Sequence, residues 1–262
     1  MRLWHLTSLD APTVAIVWTL AFAWAWHLVI PVWLVLVVGL SAWTFYIADR
    51  LLDARRARTP LRLRHRFHWQ HRQIFIPLAI AAGAVALGLV LHNMPPRIEV
   101  RNSLLAVAAF AYFAGVHTGK QRRLLPKELL VAIVFTMTCA TPSLWRAPHP
   151  LEILPVLLIF SALAWLNCAA IELWESETAA VNNVLIKVRR YAVALAVLGI
   201  LAALGAAALG QARGALLLLA AALSAGLLGQ MDILRKRLSA TALRVGADLV
   251  LLTPLVLLAC GR

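Results

Sequence analysis

Long apolar stretches, separated by short basic segments, run along almost the whole chain. A helix needs roughly 20 apolar residues to cross the hydrocarbon core of a bilayer. The nearly uncharged stretch from residue 11 to residue 48 is too long for one crossing, and Pro31 near its middle removes a helix hydrogen bond. It therefore predicts two spans joined by a very tight turn. Asp10 and Pro12 suit the N-cap and first turn of the first span.

Seven further apolar stretches predict seven more spans, which makes about nine in all. They cover approximately residues 74–91, 103–116, 129–141, 153–171, 191–209, 214–228 and 242–260. The late stretches are rich in Ala, Gly and Leu, which permits close helix packing. The predicted fold is an all-α polytopic membrane helical bundle, with one transmembrane domain over residues 1–262. Cytoplasmic loops are predicted at approximately residues 49–73, 117–128, 172–190 and 229–241.

Composition supports a membrane protein and explains its charge. The chain is 62% hydrophobic and has a net charge of +14. In a soluble protein this charge would suggest nucleic acid, but cytoplasmic loops of membrane proteins also collect Lys and Arg. With nine spans, Lys and Arg divide 20 to 5 between the two sides. This split predicts a cytoplasmic N-terminus, a periplasmic or extracellular C-terminus, and no nucleic-acid partner.

The termini and the cysteines add little. No small-residue cleavage site follows the first apolar stretch, so we expect no removed signal peptide. The three cysteines are far apart and match no zinc or disulfide pattern, so we interpret them as packing residues. The strong Ala, Leu and Arg bias predicts a bacterial protein of the inner membrane.

Acidic residues are scarce, and several of them stand at the ends of two predicted spans. Asp49 and Asp53 end the second span, and Glu172 and Glu175 end the sixth. Spacings of four and three residues place each pair on one helix face. Carboxylates so arranged could bind a hard divalent cation such as Mg²⁺, which commonly bridges to substrate phosphates. The alternative is local ion pairing with neighbouring Arg and Lys side chains.

Basic residues near these acids leave two interpretations open. The segment after Asp53 interleaves Arg and His with Leu, Phe and Trp, so it could lie on anionic headgroups or hold a diphosphate. Lys120, Arg122 and Arg123 could contact phosphate oxygens or be ordinary positive-inside charge. Three histidines recur every three residues, but the surrounding Arg charge disfavours a metal site there. Arg244 and Asp248, four residues apart, predict a structural ion pair.

Two acidic motifs carry a family resemblance. The segment Thr44–Asp53 matches the last two acids of the pattern Asn-Asp-x-x-Asp-x-x-x-Asp and differs at its first two positions. The segment Asn167–Glu177 is similar to a second motif, with Glu where Asp is usual. Arg58-Thr-Pro-Leu61 resembles the Arg-Pro-Leu that follows the first motif, and Tyr112–Lys127 resembles a Tyr…Lys-Arg segment before the fifth span. With nine predicted spans, the chain resembles the UbiA superfamily of intramembrane prenyltransferases.

The resemblance implies an activity and a set of roles. It implies Mg²⁺-dependent transfer of a prenyl group from a prenyl diphosphate to an aromatic or other lipophilic acceptor. The residues implied in metal binding are Asp49, Asp53, Glu172 and Glu175, with Asp49 and Asp53 also catalytic. Those implied in diphosphate binding are Arg58, Lys120, Arg122 and Arg123, and those lining the pocket are Tyr46 and Asn167.

Two other functions are alternatives to the transferase. A UbiA-like protein without catalysis, with a lipid-binding or assembly role, is the main alternative, because the first motif is incomplete. A small-solute transporter is disfavoured, because the acids lie at a membrane edge and transporter sites usually lie near the midplane. Membrane lipids are the remaining predicted partners, and nothing in the sequence indicates a protein partner.

Overall fold

The computed structural model describes residues 2–56, 63–94, 127–175 and 187–260. All regular elements in these ranges are α-helices, apart from one short 3₁₀ turn at Pro150–Ile153, which confirms the predicted all-α class for this part of the chain. The helices are α1 (Arg2–Leu6), α2 (Asp10–Ala25), α3 (Val32–Arg56), α4 (Leu63–Gln70), α5 (Arg72–Asn93), α6 (Lys127–Leu144), α7 (Leu154–Glu175), α8 (Val188–Ala208), α9 (Ala212–Leu234), α10 (Ala240–Val250) and α11 (Pro254–Cys260).

Five of the described helices are long and apolar enough to cross a membrane, namely α3, α5, α7, α8 and α9. Helices α10 and α11 would make a sixth crossing if they act as one span, although they are bent by 44° at their break. Helices α2 and α6 are apolar but shorter. These helices indicate a membrane protein with five or six candidate spans. The predicted count of about nine is not confirmed, and the predicted span at 103–116 lies outside the described residues.

The first predicted pair of spans has the expected break. Helix α2 ends at Ala25, and α3 starts immediately after Pro31. At the other end of α2, a carboxylate oxygen of Asp10 accepts a hydrogen bond from the Ala11 amide at 3.0 Å. The other carboxylate oxygen lies 3.0 Å from Nδ1 of His5, so Asp10 is buried with partners.

Segments predicted as loops are partly helical. Helix α3 continues through Asp49 and Asp53 to Arg56, and α4 lies in the basic segment that follows. Helix α9 likewise continues to Leu234, six residues beyond the predicted span. Both extensions contain good helix formers, namely Arg, Ala and Leu in α3 and Gln, Met and Leu in α9, so a helix need not end where its apolar stretch ends.

The chain divides into two compact units, Met1–Thr13 with Pro31–Lys127, and Val14–Ile30 with Glu128–Arg262. In the first unit, α3 packs against α4 and α5. The contact buries Ile47, Phe75 and Ala79. The hydroxyl of Thr44 donates a hydrogen bond to the carbonyl of Ala79 at 3.4 Å. These contacts place the end of α3, with its two aspartates, next to α4.

In the second unit, an aromatic stack and a tight helix pair organise the packing. The ring of Trp18 stacks on that of Phe160 with centroids 3.8 Å apart, and both side chains are fully buried. Helices α8 and α9 approach so closely that a Cβ added at Gly199 would lie 3.0 Å from the Cβ of Ala222. Small residues therefore allow the close approach that the Ala- and Gly-rich composition predicted.

Candidate functional site

The first acidic pair lies in the last two turns of α3. Asp49 and Asp53 are both half-buried, and four-residue spacing on one continuous helix places them on one face, as predicted. A carboxylate oxygen of Asp53 lies 3.8 Å from Nε2 of His65, which α4 contributes. Asp53 therefore has a buried imidazole on one side, while 41% of its own side chain stays exposed.

Tyr46 and Arg50 adjoin this pair on the same helix. The guanidinium carbon of Arg50 lies 5.3 Å from the centroid of the Tyr46 ring, a cation–π distance. Arg50 is buried, unlike Arg55 in the next turn, which is exposed. Arg50 thus brings a fixed positive charge within one turn of both aspartates.

The second acidic pair occupies the last turn of α7. Glu172 and Glu175 are half-buried there, on one helix face. A carboxylate oxygen of Glu175 lies 3.6 Å from a guanidinium nitrogen of Arg244 on α10. Arg244 is also 3.7 Å from the carboxylate of Asp248, which confirms the ion pair predicted from their spacing. The structure adds that this pair reaches Glu175, which sequence spacing did not reveal.

A further acid at this end of the second unit was not among the predicted site residues. The indole N–H of Trp174 donates a hydrogen bond of 2.9 Å to Asp232 in α9. Arg235 donates another to the same carboxylate oxygen, at 3.2 Å. A signal for Asp232 existed, because it is the one acid in α9 and lies near that helix's end.

Asn167, which was predicted to line a pocket, is a buried polar residue in the middle of α7. Its side chain is buried in α7, and its amide oxygen has no hydrogen-bond partner among the residues that the structure describes. A buried acceptor without a donor is costly, so it suits a polar group that arrives from outside the chain. Asn167 lies about 7.5 Å of helix rise before Glu172.

The donor sets can be tested against Mg²⁺. Mg²⁺ prefers oxygen ligands and is usually held by one or two carboxylates, so Asp49 and Asp53 fit it. Glu172 offers the same chemistry. Glu175 fits less well, because Arg244 already lies against its carboxylate. Arg58, Lys120, Arg122 and Arg123, the predicted diphosphate ligands, lie outside the described residues.

The three regularly spaced histidines have three different neighbours. His65 lies against Asp53, with Nε2 3.8 Å from a carboxylate oxygen. His68 is fully buried, with Nε2 3.4 Å from the hydroxyl oxygen of Ser8. His71 is exposed and lies 2.9 Å from the carbonyl of Phe67 through Nδ1. Helical spacing alone therefore does not bring these imidazoles to a common partner.

No protein-family model, no curated protein and no solved structure matches the chain.

Proposed function

We propose that the chain is a Mg²⁺-dependent intramembrane prenyltransferase, which moves a prenyl group from a prenyl diphosphate to an aromatic or other lipophilic acceptor. One observation carries the proposal: each of two acidic pairs occupies one face at the C-terminal end of a long apolar helix. Carboxylates at the end of an apolar helix can bind the charged headgroup of a lipid, through a metal ion, while its apolar chain lies along the helix. The resemblance in the two acidic motifs supports the same activity.

Each group would have a separate role. Asp49 and Asp53 would hold Mg²⁺ at the end of α3. At the end of α7, Glu172 would hold Mg²⁺, with Glu175 beside it, whose carboxylate lies against Arg244. When bound, Mg²⁺ would neutralise charge on the departing diphosphate. Asn167 would orient a polar group of the substrate through its unsatisfied amide oxygen, and Tyr46 would line the pocket. Arg58, Lys120, Arg122 and Arg123 would supply further positive charge for the diphosphate.

The location belongs to the same proposal. The excess of Lys and Arg on one predicted side supports a bacterial inner-membrane protein whose N-terminus and acidic pairs face the cytoplasm.

Thermal unfolding of the detergent-purified protein tests the proposal. Geranylgeranyl diphosphate is added with Mg²⁺ or with EDTA, at about 100 times the concentration that half-fills the site. Binding to the native state alone then stabilises it by about 2.7 kcal/mol, so the melting temperature should rise with Mg²⁺ and not with EDTA. Asp53→Asn, which keeps the shape and removes the charge, should abolish the rise.

Asp232→Asn is the matched control, because Asp232 also stands near the end of an apolar helix and is assigned no ligand role. It should keep the Mg²⁺-dependent rise. No rise in the parent protein, or an equal rise in Asp53→Asn, would contradict the transferase proposal. The acceptor is then sought by incubating the protein with labelled diphosphate and lipophilic phenols or quinones.

A UbiA-like protein without catalysis remains the second candidate, and two observations favour it. Glu175 is engaged by Arg244. In register with Asp49 and Asp53, the first acid of the family pattern falls at Tyr46, whose side chain cannot replace a carboxylate. Mg²⁺-dependent binding of the diphosphate without turnover on any acceptor would distinguish this candidate from the enzyme.

A further inference from the structure

The exposed surface of the first unit changes character sharply at the junction of α4 and α5. Arg66 and Gln70 of α4 are exposed, and so are Arg72 and Gln73, the first two residues of α5. From the next residue onward the exposed side chains are apolar, beginning at Ile74 with 57% exposure. They continue along α5 with Ile76, Leu78 and Ile80.

This boundary marks a depth in the membrane. Helix α5 is among the candidate spans, and only 11% of the residues in its most apolar stretch are buried within the protein. Its exposed Ile and Leu side chains therefore suit the hydrocarbon core. Residues just before Ile74 then lie at the level of the lipid headgroups, where Trp is enriched and Arg meets phosphate.

Contacts on the other side of α4 fix which residues point outward. His68 is fully buried and lies 3.4 Å from Ser8, and its ring centroid is 4.5 Å from that of Phe75. His65, one turn earlier, is buried against Asp53. With this side of the helix held, Arg66 is exposed and Trp69 is half-exposed, three residues apart on the outer side.

Arg72 is positioned by Trp69. Its guanidinium donates a hydrogen bond of 3.0 Å to the carbonyl of Trp69. The guanidinium carbon also lies 5.0 Å from the centroid of the indole ring, a cation–π distance. A planar guanidinium held in this way keeps further N–H groups for a phosphate, which it can bind with two parallel hydrogen bonds.

From these contacts we propose that Arg66 and Trp69 of α4 and Arg72 of α5, together the α4–α5 ridge, bind the headgroup phosphate of an anionic phospholipid. Two exposed guanidinium groups match a negatively charged lipid better than a zwitterionic one, whose own cation would meet the same charges. The indole of Trp69 lies at the polar–apolar boundary and suits the glycerol region. The site requires neither Mg²⁺ nor a prenyl diphosphate, so it goes beyond the proposed transferase.

Lipid titrations of the full-length, delipidated protein in detergent test the site. Phosphatidylglycerol and phosphatidylcholine are added separately, and bound lipid is counted by native mass spectrometry. Each arginine near an anionic surface strengthens binding to an anionic lipid. The double variant Arg66→Gln/Arg72→Gln should therefore bind phosphatidylglycerol at least about tenfold more weakly. Its binding of phosphatidylcholine should not change.

Two further variants separate a built site from bulk charge. Arg189→Gln/Arg190→Gln removes the same charge from exposed arginines in the first turn of α8. It should weaken phosphatidylglycerol binding less than about threefold. Arg72→Lys keeps the charge but loses the planar fork, so it should bind at least about threefold more weakly than the parent.

Three outcomes would overturn the proposal. Equal losses in the two double variants would mean that only net charge matters. Unchanged phosphatidylglycerol binding in the α4–α5-ridge double variant would show that the lipid lies elsewhere. A loss of stabilisation by geranylgeranyl diphosphate in that variant, with lipid binding intact, would assign the two arginines to the prenyl substrate instead.

Discussion

The guanidinium group of Arg244 lies 3.6 Å from the carboxylate of Glu175, and this contact joins α10 to the last turn of α7. Arg244 reaches Asp248 as well, so one buried cation lies against two largely buried acids. Removing one member of such a group leaves uncompensated charge away from water. The contact is therefore expected to matter for folding, whatever role Glu175 has in ligand binding.

Arg244→Ala should lower the free energy of unfolding by about 3 kcal/mol, because it removes the buried cation that lies against Glu175 and Asp248. Unfolding of the detergent-purified protein, followed by tryptophan fluorescence, measures the loss. Arg235→Ala is the control, because Arg235 is 43% exposed and pairs with Asp232 at 3.2 Å. Because water screens the half-exposed Arg235 guanidinium, this pair should contribute less than about 1 kcal/mol. Similar losses in both variants would contradict a special role for Arg244.

Gly199→Ala and Gly205→Ala, the same change twice in α8, should have opposite effects. A Cβ at Gly199 would meet Ala222 at 3.0 Å and also its backbone, which cannot move aside, so we expect a loss of about 1–2 kcal/mol. A Cβ at Gly205 meets nothing within 4 Å, so the better helix propensity of Ala should stabilise by up to about 1 kcal/mol. Melting temperatures that shift in the same direction would show that α8 and α9 are not tightly packed at Gly199.

Ser224→Ala should destabilise the break between α10 and α11. The Ser224 hydroxyl lies 2.6 Å from the carbonyl oxygen of Val250, and Val250 is the last residue of α10. Losing this bond between helices should cost about 1 kcal/mol. Thr138→Val is a suitable comparison, since among the described residues the Thr138 hydroxyl bonds only within its own helix, to the carbonyl of Val134. Thr138→Val should lower the free energy of unfolding by less than about 0.5 kcal/mol. Equal losses in Ser224→Ala and Thr138→Val would contradict a special role for Ser224.

Glu172→Gln and Glu175→Gln should separate ligand binding from structure. If both glutamates hold Mg²⁺, each variant loses the Mg²⁺-dependent rise in melting temperature with geranylgeranyl diphosphate. Glu175→Gln should also lower the melting temperature without ligand, because it weakens the ion pair of Glu175 with Arg244. A full ligand response in both variants would remove the glutamates from the metal site.

The helices and the acidic pairs could be predicted because both are local properties of the sequence. A long apolar stretch determines a long apolar helix, Pro31 stops one helix before the next, and spacings of three or four residues place side chains on one face. The break in the last span also had a local signal in Pro254, which cannot donate a backbone hydrogen bond. The sequence could not predict the ends of helices that extend past their apolar stretch, such as α3.

Only the tertiary structure decided which distant groups meet. The indole N–H of Trp18 donates to the carbonyl of Leu251 at 2.9 Å, which provides a partner at the bend before α11. Arg244 pairs with Glu175, and His65 with Asp53, across helices whose rotation depends on how their buried faces pack. Sequence alone determined which residues share a helix face. Packing of those faces determined their neighbours, because contacts between helices depend on shape and not on spacing along the chain.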